Sequence, residues 1–326
     1  MAQAQIQTKH GESEDVEDLT SMLPTREGWW RPLFLFQDHW LTPQTVKSTM
    51  LVQAQFQPRA DDIILATYPK CGTTWLKALA FTIANRSRHT VTAGGDHPVL
   101  TKHPHDLVPF LELPHRYLHP IAELEALPSP RLLSTHIPCA LLPSGVSALG
   151  SRVVYLCREP KDVLVSMWHY VNKVRKDFYI DLDKAFEFFC EGVTFFGPFW
   201  DHCLGYWKQS LEEPERVLFL KYDELMANPT KHVKMLANFI GVPFTNEEES
   251  AGVVEKVVRL CSFENLKSLP ANSTGVSDRI GGLPMENSAY FRSAKVGDWR
   301  NCLTEEMARK LDCIIEEKLK GCGLSF

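Results

Sequence analysis

Four short runs, apolar at nearly every position, punctuate the chain: "DIILATY" (62–68), "RLLSTH" (131–136), "RVVYLCR" (152–158) and "RVLFLKY" (216–222). Runs this short, β-branched and continuous rather than alternating, predict strands buried on both faces. Between and after them, apolar residues recur at helical spacing. Helices are predicted from Thr73 to Asn85, Pro160 to Val174, Asp181 to Glu191, Pro198 to Gln209 and Pro229 to Ile240. A last one is predicted where Leu303, Met307, Leu311, Ile315 and Leu319 repeat and Ile314 widens the stripe. Strands alternating with helices predict an α/β fold: a single domain whose central parallel β-sheet is flanked by helices on both faces. No internal repeat and no linker rich in Pro, Gly or Ser divides it. The stretch 86–130 is loop-like, with "TAGGDHP" and many His and Pro, and suits a lid or pocket wall beside the sheet. Residues 1–25 are polar and acidic and are read as a flexible N-terminal tail, leaving 26–326 as the folded domain. Order is expected to begin near "EGWWRPLFLFQDHWL", which is too aromatic to remain in water.

Composition narrows the class. The chain has 326 residues, 44% of them hydrophobic and 23% charged, as in soluble globular proteins. A net charge of −5 argues against non-specific binding to nucleic acid or an acidic membrane surface, though it permits a local basic pocket. The nine cysteines are scattered and form no C-x-x-C pair, so neither a disulfide framework nor a zinc site is indicated. The opening "MAQAQIQTKHGESEDVEDLT" is not a secretory signal, and no run reaches the roughly 18 apolar residues of a membrane span. A cytoplasmic location is the simplest expectation.

Chemistry enters with "ILATYPKCGTTWLKALAF" (64–81), a strand, a glycine turn and a helix. Such a turn aims backbone N–H groups and the positive end of a helix dipole at one point, making a P-loop-like strand–loop–helix phosphate site. Thr73 and Thr74 add hydroxyl donors, Gly72 permits close approach, and Trp75 offers a face for a flat ring. Thr73 stands where a nucleotide triphosphate loop has its lysine. Lys70 instead lies on the incoming arm, so a metal-free transfer fits better than a Mg²⁺-dependent one. "RVVYLCREPKDVLVSMWHY" repeats the design: Arg158 ends a strand, Pro160 starts a helix, Asp162 suits its first turn and Ser166 follows about two turns in. Arg158 alone is more often a surface charge than a ligand, but strand tips are where open α/β sheets bind ligands. Two anion sites on neighbouring tips imply a nucleotide phosphorylated at two separate positions.

At these motifs the chain resembles the cytosolic sulfotransferases, the plant branch in particular. "YPKCGTTW" is similar to their 5′-phosphosulfate loop and "CREPKDVLVSMWHY" to their 3′-phosphate motif. Similarity extends through "HWLTPQTVKSTMLVQAQF", "GPFWDHCLGYWKQS", "LFLKYDELMANP" and the closing "GCGLSF". The resemblance implies an enzyme that moves a sulfuryl group from 3′-phosphoadenosine 5′-phosphosulfate (PAPS), a co-substrate used without metal, to a hydroxyl of a small acceptor. It assigns Lys70, Cys71, Gly72, Thr73, Thr74 and Trp75 to the 5′-phosphosulfate and adenine side, and Arg158 and Ser166 to the 3′-phosphate. It puts Tyr222 and "CSFENL" (261–266) on the adenine. Arg292 matches a further 3′-phosphate contact in a motif that reads "FRSAKVGDW" here, with Ser293 and Ala294 where the family usually has Lys and Gly. That departure removes one cation and adds a Cβ, so weaker hold on the 3′-phosphate is expected, with Lys295 a partial substitute for the charge.

An acceptor hydroxyl needs a base titrating near neutrality, a task that suits histidine. His136, in "RLLSTHIP", ends a strand at the same edge as Lys70 and Arg158 and matches the family's base, whereas His169 is read as packing. In the implied in-line displacement, His136 takes the acceptor proton and Lys70 neutralises the leaving oxygen. The loop N–H groups and threonines hold the sulfuryl oxygens, and Ser166 fixes the 3′-phosphate and restrains the lysine. Some animal members carry a lysine at the place of Ser134. Phe34, Phe36, Trp40, Phe195, Phe196, Phe199 and Trp200 are candidates to line a hydrophobic acceptor site for a phenol, flavonoid, steroid-like alcohol or other specialised metabolite, although such runs also build cores. Many animal relatives dimerise through K-x-x-x-T-V-x-x-x-E. "RNCLTEEMAR" keeps Thr304 but has Glu305 and Arg309 at the Val and Glu places, so a monomer is preferred. Two alternatives stand beside this assignment: a P-loop small-molecule kinase, and a non-catalytic binder with a decayed donor site.

Overall fold

The computed structural model describes residues 22–92, 94–112, 120–278 and 284–326. Of the tail expected at 1–25, residues 1–21 lie outside the described residues. Thr25–Arg26 (β1) pair with Leu33–Phe36 (β2), which pairs with His39–Leu41 (β3). Sequence reading placed aromatic order here but no strands. The β2–β3 turn is made by Gln37 and Asp38, both at positive φ (47° and 66°), the conformation a two-residue hairpin requires. Helix Pro43–Gln55 follows, capped by Thr42. It too lay in a stretch where no element was predicted, because its apolar and polar residues do not separate cleanly by face.

The central sheet contains Ile63–Thr67 (β4), Leu132–Thr135 (β5), Arg152–Cys157 (β6) and Val217–Lys221 (β7). They are the four runs predicted from the sequence, each shortened by a residue or two. All pairs are parallel, in the order β5-β4-β6-β7. Successive side chains enter opposite cores. Ile64, Ala66, Leu133, Val153 and Tyr155 pack on one face, while Ile63, Leu65, Val154, Leu156 and Leu220 pack on the other. Burial on both faces is why the runs read as continuously apolar.

The predicted helices appear as Thr73–Asn85, Pro160–Val174, Leu182–Cys190, Phe199–Glu212, Pro229–Phe239 and Glu305–Lys318. Register brings the carboxyl ends together, since Ala66 faces Thr135, Thr67 faces Leu156 and Cys157 faces Lys221. The residues that follow these strands therefore leave from one edge, and the order reverses at β4, where such sheets bind ligands.

Candidate active site

β4 delivers the chain into a turn that bends twice through the left-handed region, at Lys70 (φ 71°) and Gly72 (φ 104°). Glycine is needed at the second bend. A Cβ on Gly72 would stand 2.9 Å from the Tyr222 ring and 3.2 Å from Leu156. No side chain caps helix Thr73–Asn85, so its first-turn N–H groups have no intrahelical acceptor. Thr73 Oγ1 is held 2.7 Å from Thr67 Oγ1. Thr74 Oγ1 lies 3.2 Å from His105 Nε2, whose Nδ1 is 2.9 Å from the buried ammonium of Lys77. That ammonium also donates to the Val108 carbonyl and sits over the Phe110 ring. An ammonium at Nδ1 makes that nitrogen the acceptor, so Nε2 carries the proton toward Thr74 and leaves the threonine hydroxyl to donate onward.

The loop opens into a cavity of about 870 Å³. Lys70, Gly72, Thr73, Thr74 and Trp75 line it with His136, Arg158, Ser166, Tyr222, Arg292, Ser293 and Ala294. Of the thirteen site residues singled out in the sequence, Cys71 alone is missing from that lining. Its side chain is fully buried in the core, and burial raises its thiol pKa well above the usual value. Ser262, Phe263 and Leu266, from the purine-closing stretch, also line the cavity.

Cations converge at one end. Burial, and then repulsion from Arg292, Arg158 and Lys173, lower the Lys70 pKa to about 7, and its ammonium rests 3.9 Å from the Tyr170 ring centre. Arg158 donates to the Lys295 carbonyl (2.8 Å), approaches Asp162 at 3.3 Å and lies over the Tyr222 ring at 4.6 Å. Arg292 pairs with Asp298 at 2.6 Å. The Nε atoms of both arginines are buried without a hydrogen-bond partner, an arrangement an anionic ligand would complete. These orphaned donors, the cation cluster and the Gly72 approach fit a nucleotide with phosphates at both ends. Lys295 contributes its carbonyl; its exposed side chain does not line the cavity.

At the tip of β5, His136 Nδ1 donates to the Thr67 carbonyl (2.7 Å), which fixes the tautomer and leaves Nε2 as the basic nitrogen. The same Thr67 bonds Thr73, so base and loop share one anchor. The His136 backbone is held on both sides: its N–H donates to Glu112 Oε1 (2.6 Å), and its carbonyl accepts from His202 Nε2 (2.9 Å). Burial lowers its pKa to about 3 despite the bond to Thr67, with Lys77 and Lys70 adding repulsion.

Several lining residues escaped the sequence reading. His105, Phe110 and Glu112 come from the 86–130 stretch, which thus supplies a pocket wall as expected, and the buried acid in "LVPFLEL" was the available signal. His169, read as packing, lines the cavity. Of the seven aromatic candidates, Phe195 and Phe196 line it; Phe34, Phe36, Trp40, Phe199 and Trp200 do not, being placed in or against the core.

A family model described as Sulfotransferase domain matches residues 60–323. The chain is 43% identical over 320 residues to cytosolic sulfotransferase 15 of Arabidopsis thaliana, covering 97% of this chain and 88% of that one. It is 45% identical over 294 residues to flavonol 4′-sulfotransferase of Flaveria chlorifolia, covering 90% and 89%. Among solved structures, an Arabidopsis thaliana sulphotransferase superposes with a TM-score of 0.75 at 39% identity, covering 95% of this chain and 94% of that one. A mouse sulfotransferase complexed with PAP superposes with a TM-score of 0.69 at 26% identity, covering 89% and 94%.

Proposed function

The chain belongs to the sulfotransferase family and uses PAPS as co-substrate, and from that premise we propose that it sulfates a hydroxyl on a small hydrophobic acceptor, with His136 as general base. One observation carries this: Lys70, His136, Arg158 and Arg292, which leave four separate segments, line a single cavity. The flavonol sulfotransferase relative favours phenolic acceptors, and the aromatic lining suits them. Its relatives' names place them in the cytosol, where we place this chain too. Among the described residues no helix is long and apolar enough to cross a membrane.

The donor supplies an activated sulfuryl group on a good leaving group. His136 Nε2 takes the acceptor's proton as the acceptor oxygen forms its bond to sulfur, and the bond from sulfur to the bridging oxygen breaks. Lys70 neutralises the charge that arrives on that oxygen. Thr73, Thr74 and the first-turn N–H groups hold the anionic oxygens of the reacting end, prepositioned by Thr67 and His105. Arg158, Ser166 and Arg292 hold the 3′-phosphate, and Trp75, Tyr222 and Phe263 enclose the base. Burial is the main cause of the low basicity of His136, and its cationic neighbours Lys77 and Lys70 add to it; a bound polyanion offsets that added repulsion and so raises the imidazole's pKa.

Incubation with sulfur-labelled PAPS and a phenol panel, with and without EDTA, tests this. Labelled product unaffected by EDTA is expected. His136→Ala should lose turnover by about a hundredfold or more while binding PAP as before, on the scale of one general base. Retained turnover would exclude His136 as the base.

A further inference from the structure

Lys77 is the one lysine with no exposed surface among the described residues, and it lies just behind the cavity without lining it. Helix Thr73–Asn85 puts it three residues after Thr74, on the same face. Its ammonium meets the Val108 carbonyl at 2.9 Å, His105 Nδ1 at 2.9 Å and the Phe110 ring, 3.4 Å from its centre. His105 and Phe110 do line the cavity, stacked with ring centres 5.4 Å apart, and Phe110 lies 5.0 Å from the His136 ring. One charge therefore backs a wall that reaches Thr74 on one side and His136 on the other.

Packing does not require an ammonium here. Burying one is costly, and an apolar side chain of similar length would fill the space without that cost. What the charge adds is direction. An ammonium only donates, so His105 Nδ1 must accept, and the imidazole proton stands on Nε2, 3.2 Å from Thr74 Oγ1. Thr74 accepts that hydrogen bond, and its own proton is left for the cavity that it lines. The charge also reaches the base: after burial, Lys77 lowers the His136 pKa more than Lys70 does. Strand β5 offers no cation in its place, since Ser134, two residues before the base, is a buried hydroxyl without a hydrogen-bond partner.

We propose that Lys77 and His105 are positioning residues of the transfer, a hydrogen-bond line that holds the Thr74 hydroxyl as a donor to the sulfuryl oxygens. Thr74 touches the transferring group, and Lys77 acts on it only through His105. A hydrogen bond relayed from an ammonium is stronger than one from an isolated hydroxyl, because each donor polarises the next. This rests on the sulfotransferase function proposed above and adds to it the source of the donor strength of Thr74.

The test compares labelled sulfuryl transfer from PAPS to a phenol with binding of PAP, which lacks the sulfuryl group, in single and double variants. Calorimetric stoichiometry with PAP counts folded sites, so kcat is expressed per competent protein. Lys77→Met should lower kcat by about tenfold or more, the scale of one hydrogen bond to a charged group, and leave the Kd for PAP within about twofold. The same loss is expected in a Thr74→Ser background, where a hydroxyl remains. In a Thr74→Val background the further loss should shrink below about twofold, because residues that act through one contact are not additive. His105→Phe keeps a ring stacked on Phe110 but donates nothing, and should reproduce Lys77→Met. It serves if Lys77→Met does not fold. A full further loss in the Thr74→Val background, PAP binding weakened as much as kcat, or an undiminished kcat each overturn the line from Lys77 to Thr74. Failure of both variants to bind PAP shows a structural role and overturns it as well. A wild-type protein that binds PAP and sulfates no phenol removes the enzymatic function, and this inference with it.

Discussion

Lys70 stands in a left-handed backbone conformation, partly buried, among Arg292, Arg158 and Lys173. Each of these circumstances costs free energy in the empty protein, and a polyanion at the turn would offset the last of them, the repulsion among the cations. The lowered pKa has a definite consequence for binding. With the free ammonium titrating at about 7 and the bound one raised by the ligand, affinity for adenosine 3′,5′-bisphosphate should be steady below about pH 6. It should then fall by up to about tenfold per pH unit above 7, with proton uptake on binding. Calorimetry in buffers of different ionisation enthalpy measures both, and Lys70→Met should abolish the uptake. Affinity that stays flat up to about pH 9 would mean that Lys70 does not face the nucleotide. The lysine's chemical type and place were legible in "YPKCGTTW"; its unusual pKa was not. That depends on burial and on Arg158, Lys173 and Arg292, which stand 88, 103 and 222 residues further along the chain, and only folding sets their distance.

Among the elements, the segment 292–299 shows how a departure from a family pattern is absorbed. Asp162, at the start of helix Pro160–Val174, accepts from Gly297 N (2.8 Å) and Trp299 N (3.0 Å). Tyr222 donates to the Ala294 carbonyl at 3.1 Å, and Arg158 to that of Lys295. Asp162, Tyr222 and Arg158 thus hold the segment by its backbone, whatever its side chains. Ala294 nevertheless sits at φ 56°, where a Cβ costs on the order of 1 kcal/mol. The positive φ that a glycine would adopt at no cost is therefore imposed on Ala294. Restoring the usual pair, Ser293→Lys with Ala294→Gly, should tighten adenosine 3′,5′-bisphosphate by about tenfold and steepen its salt dependence, as expected of one added cation. Binding of adenosine 5′-phosphosulfate, which lacks the 3′-phosphate, is the control. Equal gains for both ligands would show that the segment does not read the 3′-phosphate.

Across the whole molecule, the sheet holds its two edges differently. The edge remote from the cavity is closed by a buried ion pair, Arg131 with Asp62 at 2.6 Å, while the carboxyl edge leaves lysine and arginine donors for a ligand. The closing helix bears on assembly. Thr304 caps helix Glu305–Lys318 by accepting from Met307 N (3.2 Å), and Glu305 and Glu306 occupy its first turn, where negative charge is favourable. Arg309 donates within the same helix to the Glu305 carbonyl. These residues are satisfied inside their own chain, so the protein should sediment as a monomer of 37.1 kDa at micromolar concentration. A species of twice that mass in analytical ultracentrifugation would contradict this.

What the sequence determined by itself is what short-range pattern carries. Continuous apolar runs mark strands covered on both faces, periodic stripes mark the helices, and a lysine, a glycine and two threonines between them mark an anion turn. The hairpin β2–β3 and helix Pro43–Gln55 escaped because mixed polar and aromatic residues there answer to partners far along the chain, such as the 195–197 loop. Tertiary structure alone decided that Glu112 and His202 clamp His136 and that His105 and Lys77 orient Thr74. The physical reason is range. Periodicity is written in neighbours a few residues apart, whereas hydrogen-bond partners, desolvation and the charge felt by a side chain depend on segments that meet only when the parallel strands align in register.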